Sequence, residues 1–273
     1  MNKPITSDTF RNISGIVCDY KNSCKTDLIN NGYDFNSLPE EDVILYKKSD
    51  NDIIFCHPLF LDQLLQQIDI SDKILITHNS DATIVSYKEG NVTFKFLTGQ
   101  EWSISNVTPK RWLAQNNLAD IIESIPLGTH SGNPIHSPKY IKTSNVYVNF
   151  GLNTNPSARL ECQNKINLPN LYNTNKSQSD FLNELSSHRF IISPEGFGID
   201  CHRHWESLYV GTIPIVLKNK LTENLSKIFP IVVLNDWDNF KIEEYNEDTY
   251  QTILSKYDLS LLDAEKYISF LNL

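Results

Sequence analysis

A chain of 273 residues with 24 Lys and Arg against 33 Asp and Glu carries a formal net charge of −9, which argues against a nucleic-acid binder, whose clustered cations must neutralise phosphates. The 40% apolar fraction, with 13 Phe, 12 Tyr and 4 Trp, excludes extended disorder and supplies cores for two domains or one large α/β unit, of which two are favoured. The five cysteines Cys18, Cys24, Cys56, Cys162 and Cys201 form no C-x-x-C pair, which argues against a disulfide framework or zinc knuckle and fits a reducing, cytoplasmic setting.

The N-terminal stretch MNKPITSDTF lacks the apolar core of a secretion signal, and no run approaches the roughly 18 apolar residues of a membrane span. Short apolar runs then predict strands over 13–17, 43–46, 53–55, 73–76, 146–150, 190–193, Ile213–Leu217 and 231–234. Among the intervening segments, 58–68 places Leu61, Leu64, Leu65 and Ile68 on one helical stripe, and 158–165, Gln178–Ser186 and 259–273 also read as helices. Alternating strands and helices predict an α/β class. The stretch 125–142, with Pro126, Pro134 and Pro138, lacks helical period and is expected to join the domains, giving lobes 1–142 and 143–273. The Asn-rich 167–179 is expected to be a surface loop.

Residues 188–217, HRFIISPEGFGIDCHRHWESLYVGTIPIVL, parse as strand, loop, helix and strand. Pro194 stops the strand, and Gly196 and Gly198 allow a ligand to approach the backbone closely. Asp200 has N-cap chemistry, Trp205, Leu208 and Tyr209 are placed to pack, and Gly211 supplies the C-terminal stop. Free N–H groups at that helix start, with Arg203 in the first turn, suit a diphosphate. Glu206, three residues on, shares a helical face with Arg203 and suits a ribose diol; the bland alternative is a solvated i,i+3 ion pair. The glycines do not complete a dinucleotide fingerprint, no P-loop occurs, and His202 and His204, two apart, are poorly spaced for one metal.

The string SPEGFGIDCHRHWESLYVGTIPIV resembles the donor-binding region of exostosin-like glycosyltransferases. Its pattern is a Pro and Gly-rich turn, then Asp200, His202, Arg203, Trp205 and Glu206, then Gly211 and Pro214. ILITHNSD, RWLAQNN, SIPLG and NTNPSAR resemble the same group, above all small viral xylosyltransferases acting on capsid glycans. The resemblance implies a GT-B-like fold: two Rossmann-like lobes with a cleft between them and a C-terminal helix. It also implies an inverting transfer of a sugar, xylose being one candidate, from a UDP-linked donor to a glycan hydroxyl. The donor would lie mainly on the second lobe, at Gly196, Gly198, Asp200, His202, Arg203 and Glu206. Arg159, opening a helix after a proline, is either a second diphosphate contact or a solvated arginine. No cofactor is required, although a divalent cation can assist such an enzyme.

Inverting transfer needs a base on the acceptor side. The THNSD turn after the 73–76 strand offers Asp81, with His78 second, where open α/β sheets build their sites; a turn-closing role is the competing reading. A different class of function remains open: a non-catalytic nucleotide- or glycan-binding module with a degenerate transferase site.

Overall fold

The computed structural model describes residues 3–34, 43–130, 141–172 and 176–273. Pro134, His136 and Pro138 of the expected junction, and 173–175 of the expected loop, lie outside them. The protein is α/β and divides into two compact units, Ser7–Ile125 and Met1–Thr6 with Pro126–Leu273.

In the Ser7–Ile125 unit a six-stranded sheet has the order β2-β1-β3-β4-β8-β9. Its strands are β1 (Ile16–Tyr20), β2 (Val43–Lys47), β3 (Ile53–Cys56), β4 (Ile74–Thr77), β8 (Arg111–Ala114) and β9 (Glu123–Ser124). All neighbours are parallel except β2, which runs antiparallel along β1. The sequences IIFC and ILIT are apolar nearly throughout because parallel strands are covered on both faces. Between β4 and β8 the chain inserts an antiparallel sheet of β5 (Thr83–Lys88), β6 (Asn91–Lys95) and β7 (Glu101–Ile104). Glu89 and Gly90, both at positive φ, close the β5–β6 hairpin in the twist that two-residue turns favour.

Three expectations here are corrected. Residue 13 ends helix α1 (Ser7–Ile13), so the strand placed at 13–17 starts at Ile16. The 58–68 helix is a 3-10 turn, Pro58–Phe60, running into the five residues Leu61–Leu65. The 259–273 helix is broken at Asp263, whose carboxylate caps Ala264–Phe270 after the 3-10 turn Leu259–Leu262.

The second unit holds a parallel sheet β10-β11-β12-β13, formed by Ser144–Val148, His188–Ile192, Ile213–Leu217 and Val232–Leu234. Helices α4 (Pro156–Ile166), α5 (Gln178–Ser186), α6 (His202–Tyr209) and α7 (Lys220–Leu225) lie between successive strands, and α8 (Glu247–Leu254) follows β13. Pro214 sits in a strand flanked on both sides, where a missing N–H would normally be excluded. Ser193 N donates to Ile215 O, so residue 215 faces β11 and Pro214 faces β13, which starts only at Val232, opposite Ile215. Val148, Phe150, Phe190, Ile192, Ile213, Ile215 and Trp237 form the core on one side of this sheet. Among the described residues no helix is long and apolar enough to cross a membrane.

Candidate functional site

The carboxyl ends of β10 and β12 lead into helices whose first turns have built-in side-chain acceptors. Asn155 Oδ1 accepts from Ala158 N at the start of α4, where Pro156 takes the position that needs no donor. Asn219 caps α7 through Thr222 N. The start of α6 differs from the sequence expectation: Cys201, with extended backbone, is the N-cap residue. Asp200 is not that cap, because its buried carboxylate is taken by other donors. Trp205 Nε1 reaches both oxygens at 3.0 Å, His204 Nδ1 lies 2.9 Å away, and Leu127 N donates at 2.8 Å. Asp200 therefore organises the loop from behind.

The turn between β11 and α6 is tight, with Gly196 N donating to Gly198 O at 3.1 Å. A Cβ on Gly196 would stand 3.1 Å from Arg159 Nη2 and 3.3 Å from Cys201 Sγ, so glycine lets the turn lie against the guanidinium. Asn155 Nδ2 fastens the same turn from the α4 side, donating to Gly196 O at 3.2 Å.

Arg159 is buried, not solvated. It donates from Nε to Glu195 O at 2.8 Å and from Nη1 to Gly151 O, both main-chain oxygens that carry no compensating charge. Burial, followed by the charge of Arg203, pulls its pKa down to about 10. Among the described residues neither arginine has a carboxylate within 4.0 Å. Arg203 Nη1 is buried without a hydrogen-bond partner, and so are the hydroxyls of Ser193, just after β11, and Thr154, in the turn before α4. Buried polar atoms are nearly always paired, so the unpaired Nη1 of Arg203, whose charge acts on neighbouring Arg159, suits an anion with acceptor oxygens.

One turn along α6, Glu206 is buried and accepts from Gln178 Nε2 at 2.6 Å. Burial raises its pKa; the opposing influences are His202, Gln178, Arg203 and His130. His202 Nδ1 lies 2.8 Å from Gly128 O, which fixes the ring by a main-chain acceptor. His204 turns the other way, its Nε2 3.2 Å from Ser193 O. The two histidines thus diverge, and no metal-holding cluster of His, Cys, Asp or Glu occurs among the described residues.

Arg159, Gly196, Asp200, His202, Arg203 and Glu206 are brought together in this unit; Asp81 and His78 belong to the other. There the turn after β4 is held by the segment after β8: Gln115 Oε1 accepts from Asn79 N, while Gln115 Nε2 and Asn116 Nδ2 both donate to Ser80 O. Asn79 takes φ 68°, a left-handed geometry asparagine tolerates. This leaves Asp81 exposed and His78 fully buried, its ring against Phe10 and Phe55. Glu195, Ser193, Thr154 and Gln178 escaped the sequence reading. Glu195 sits inside the glycine turn, is raised in pKa by burial, and accepts from Asn219 Nδ2 at 3.2 Å. No family model and no curated protein matches the chain.

Proposed function

We propose that the Pro126–Leu273 unit binds a nucleoside diphosphate sugar and that the protein transfers the sugar, with inversion, to a hydroxyl of a glycan. The observation that carries the binding half is the pair Arg159 and Arg203, two cations without carboxylate partners beside the Gly196 turn, with Arg203 Nη1 buried and unpaired. A diphosphate supplies the missing acceptors and the missing charge, and the helix starts at Asn155 and Cys201 add favourable dipole ends. Glu206 then receives the ribose hydroxyls. The transfer half rests on the likeness to exostosin-like enzymes, which also favours UDP, a two-lobed GT-B arrangement and xylose as the first sugar to try.

In the proposed reaction the acceptor oxygen forms a bond to the anomeric carbon as the bond to the diphosphate oxygen breaks, and that electron pair leaves with the diphosphate. The guanidinium pair stabilises the charge that develops there. The proton passes to a carboxylate, for which exposed Asp81 is better suited than enclosed His78. Calorimetry with UDP, UDP-xylose and uridine tests the first half. Binding of the two diphosphates but not of uridine is expected, and release of UDP only when a glycan acceptor is added tests the second. Binding without release under any acceptor would make the chain a binding module, and no UDP affinity in the millimolar range would end the reading.

A further inference from the structure

Tyr172 stands at the rim of the same sheet edge. Its backbone is fastened beside the end of β10: Leu171 N donates to Val148 O at 2.9 Å, and Asn170 Oδ1 accepts from Phe150 N and Tyr172 N, each at 3.2 Å. Asn170 Nδ2 returns a bond to Phe150 O at 2.9 Å. The ring tip lies against the main chain of Gly151, where a Cβ would come within 2.9 Å of Cζ and 3.0 Å of the hydroxyl oxygen, so a side chain there would push the ring out of this position. Gly151 O in turn accepts from Arg159 Nη1. The aromatic ring and the guanidinium therefore flank one residue.

Despite that fastening Tyr172 is 47% exposed, and Phe197, between the two glycines of the neighbouring turn, is 56% exposed. Isolated exposed apolar residues are common and mean little. Tyr172 differs because its backbone is fixed, its ring tip is set against the main chain of Gly151, and its hydroxyl lies within electrostatic range of Arg159. A ring already held in place loses little freedom when a flat partner stacks on it.

We infer that Tyr172 is the nucleobase platform, stacking on the base of the nucleoside diphosphate whose phosphates Arg159 and Arg203 hold. This rests on the donor-binding reading above and adds where the nucleoside lies. Recognition is through the ring face, so another aromatic ring serves and an aliphatic side chain does not.

The test is calorimetry of UDP and of inorganic pyrophosphate against wild type, Tyr172→Ala, Tyr172→Leu, Tyr172→Phe and Tyr172→Trp, with melting temperatures confirming that each folds. Tyr172→Ala and Tyr172→Leu are expected to weaken UDP by roughly 5- to 150-fold, the range for losing one base–aromatic stack. Pyrophosphate affinity should not change, and Tyr172→Phe and Tyr172→Trp should bind UDP nearly as wild type does. Wild-type affinity for UDP in the Ala and Leu variants overturns the inference. So does an equal loss for pyrophosphate, which would put the ring in the phosphate site, or a loss seen only with UDP-xylose, which would put it under the sugar. If wild type itself fails to bind UDP, the donor reading falls and this inference with it.

Discussion

Gln178, the first residue of α5, donates to Glu206 of α6 across 2.6 Å and so fixes the carboxylate from outside its own helix. In the proposed complex the other carboxylate oxygen would accept from the ribose hydroxyls. Glu206→Gln should therefore lose affinity for UDP and UDP-xylose by similar factors, and calorimetry with both ligands reads the ratio. A variant that keeps UDP affinity but discriminates among sugars would move Glu206 to the sugar.

The same carboxyl sets a pH dependence. Burial raises the Glu206 pKa, so its charged form is disfavoured: stability contributed by the neutral form is present at acid pH and is lost as pH rises through the raised value. Ligand acceptance runs the other way, since a carboxylate accepts two hydroxyl bonds better than a carboxylic acid does. UDP affinity should fall on acidification at a pH above the ordinary glutamate range, and Glu206→Gln should lack that limb. Parallel acid limbs in the two proteins would assign the titration elsewhere.

Arg159 and Arg203 should separate in mutation because only one of them supports the fold. Arg203→Ala should weaken UDP by about 1.5–3 kcal/mol, the range for hydrogen bonds to charged groups, without lowering the melting temperature, since it removes an unpaired cation. Arg159→Ala orphans the carbonyls of Glu195 and Gly151 and should cost stability as well, about 1–3 kcal/mol for each buried acceptor left unmade. Thermal melts without ligand distinguish the two. Equal destabilisation would mean that Arg203 has a structural role that the geometry does not show.

Lys142 reaches Ser186 O, Val210 O and Thr212 Oγ1, each within 2.9 Å, and so serves the C-terminal ends of α5 and α6 at once. Lys142→Met should therefore lower stability by about 1–3 kcal/mol for each carbonyl that stays dry. UDP affinity, measured well below the melting temperature, should change little. A melting temperature equal to wild type would show that water replaces the ammonium at no cost.

The strand, turn and helix from β11 to α6 were legible because Pro194, the two glycines and the Trp205, Leu208 spacing act locally. Asp200 misled for the same reason: its type and position fit a cap, but its carboxylate is drawn away by Trp205 Nε1 and Leu127 N, the latter 73 residues distant. The burial of Arg159 could not be read from NTNPSAR, since one of its partners, Glu195 O, comes from another element. The β5–β7 insert was missed because alternating strands such as NVTFK carry few apolar residues. Tyr172 looked like part of a polar loop; only the fold shows that Asn170 lays it along β10.

The last prediction concerns the acceptor side of the proposed reaction. Asp81 is exposed at the end of a turn held rigid by Gln115 and Asn116, whereas His78 is enclosed and packed on Phe10 and Phe55. Asp81→Asn should keep UDP affinity while lowering turnover by about 10²–10⁴, the usual contribution of a positioned general base. His78→Ala removes a buried ring and should lower the melting temperature instead; at a temperature where it stays folded, turnover should remain within an order of magnitude of wild type. The two variants thus part along different axes, rate for Asp81 and stability for His78. If Asp81→Asn turns over normally while folded His78→Ala is inactive with donor still bound, the proton goes to the histidine through an opening of this turn. If neither variant slows transfer, the THNSD turn is only structural and the base must be sought among other residues of the protein.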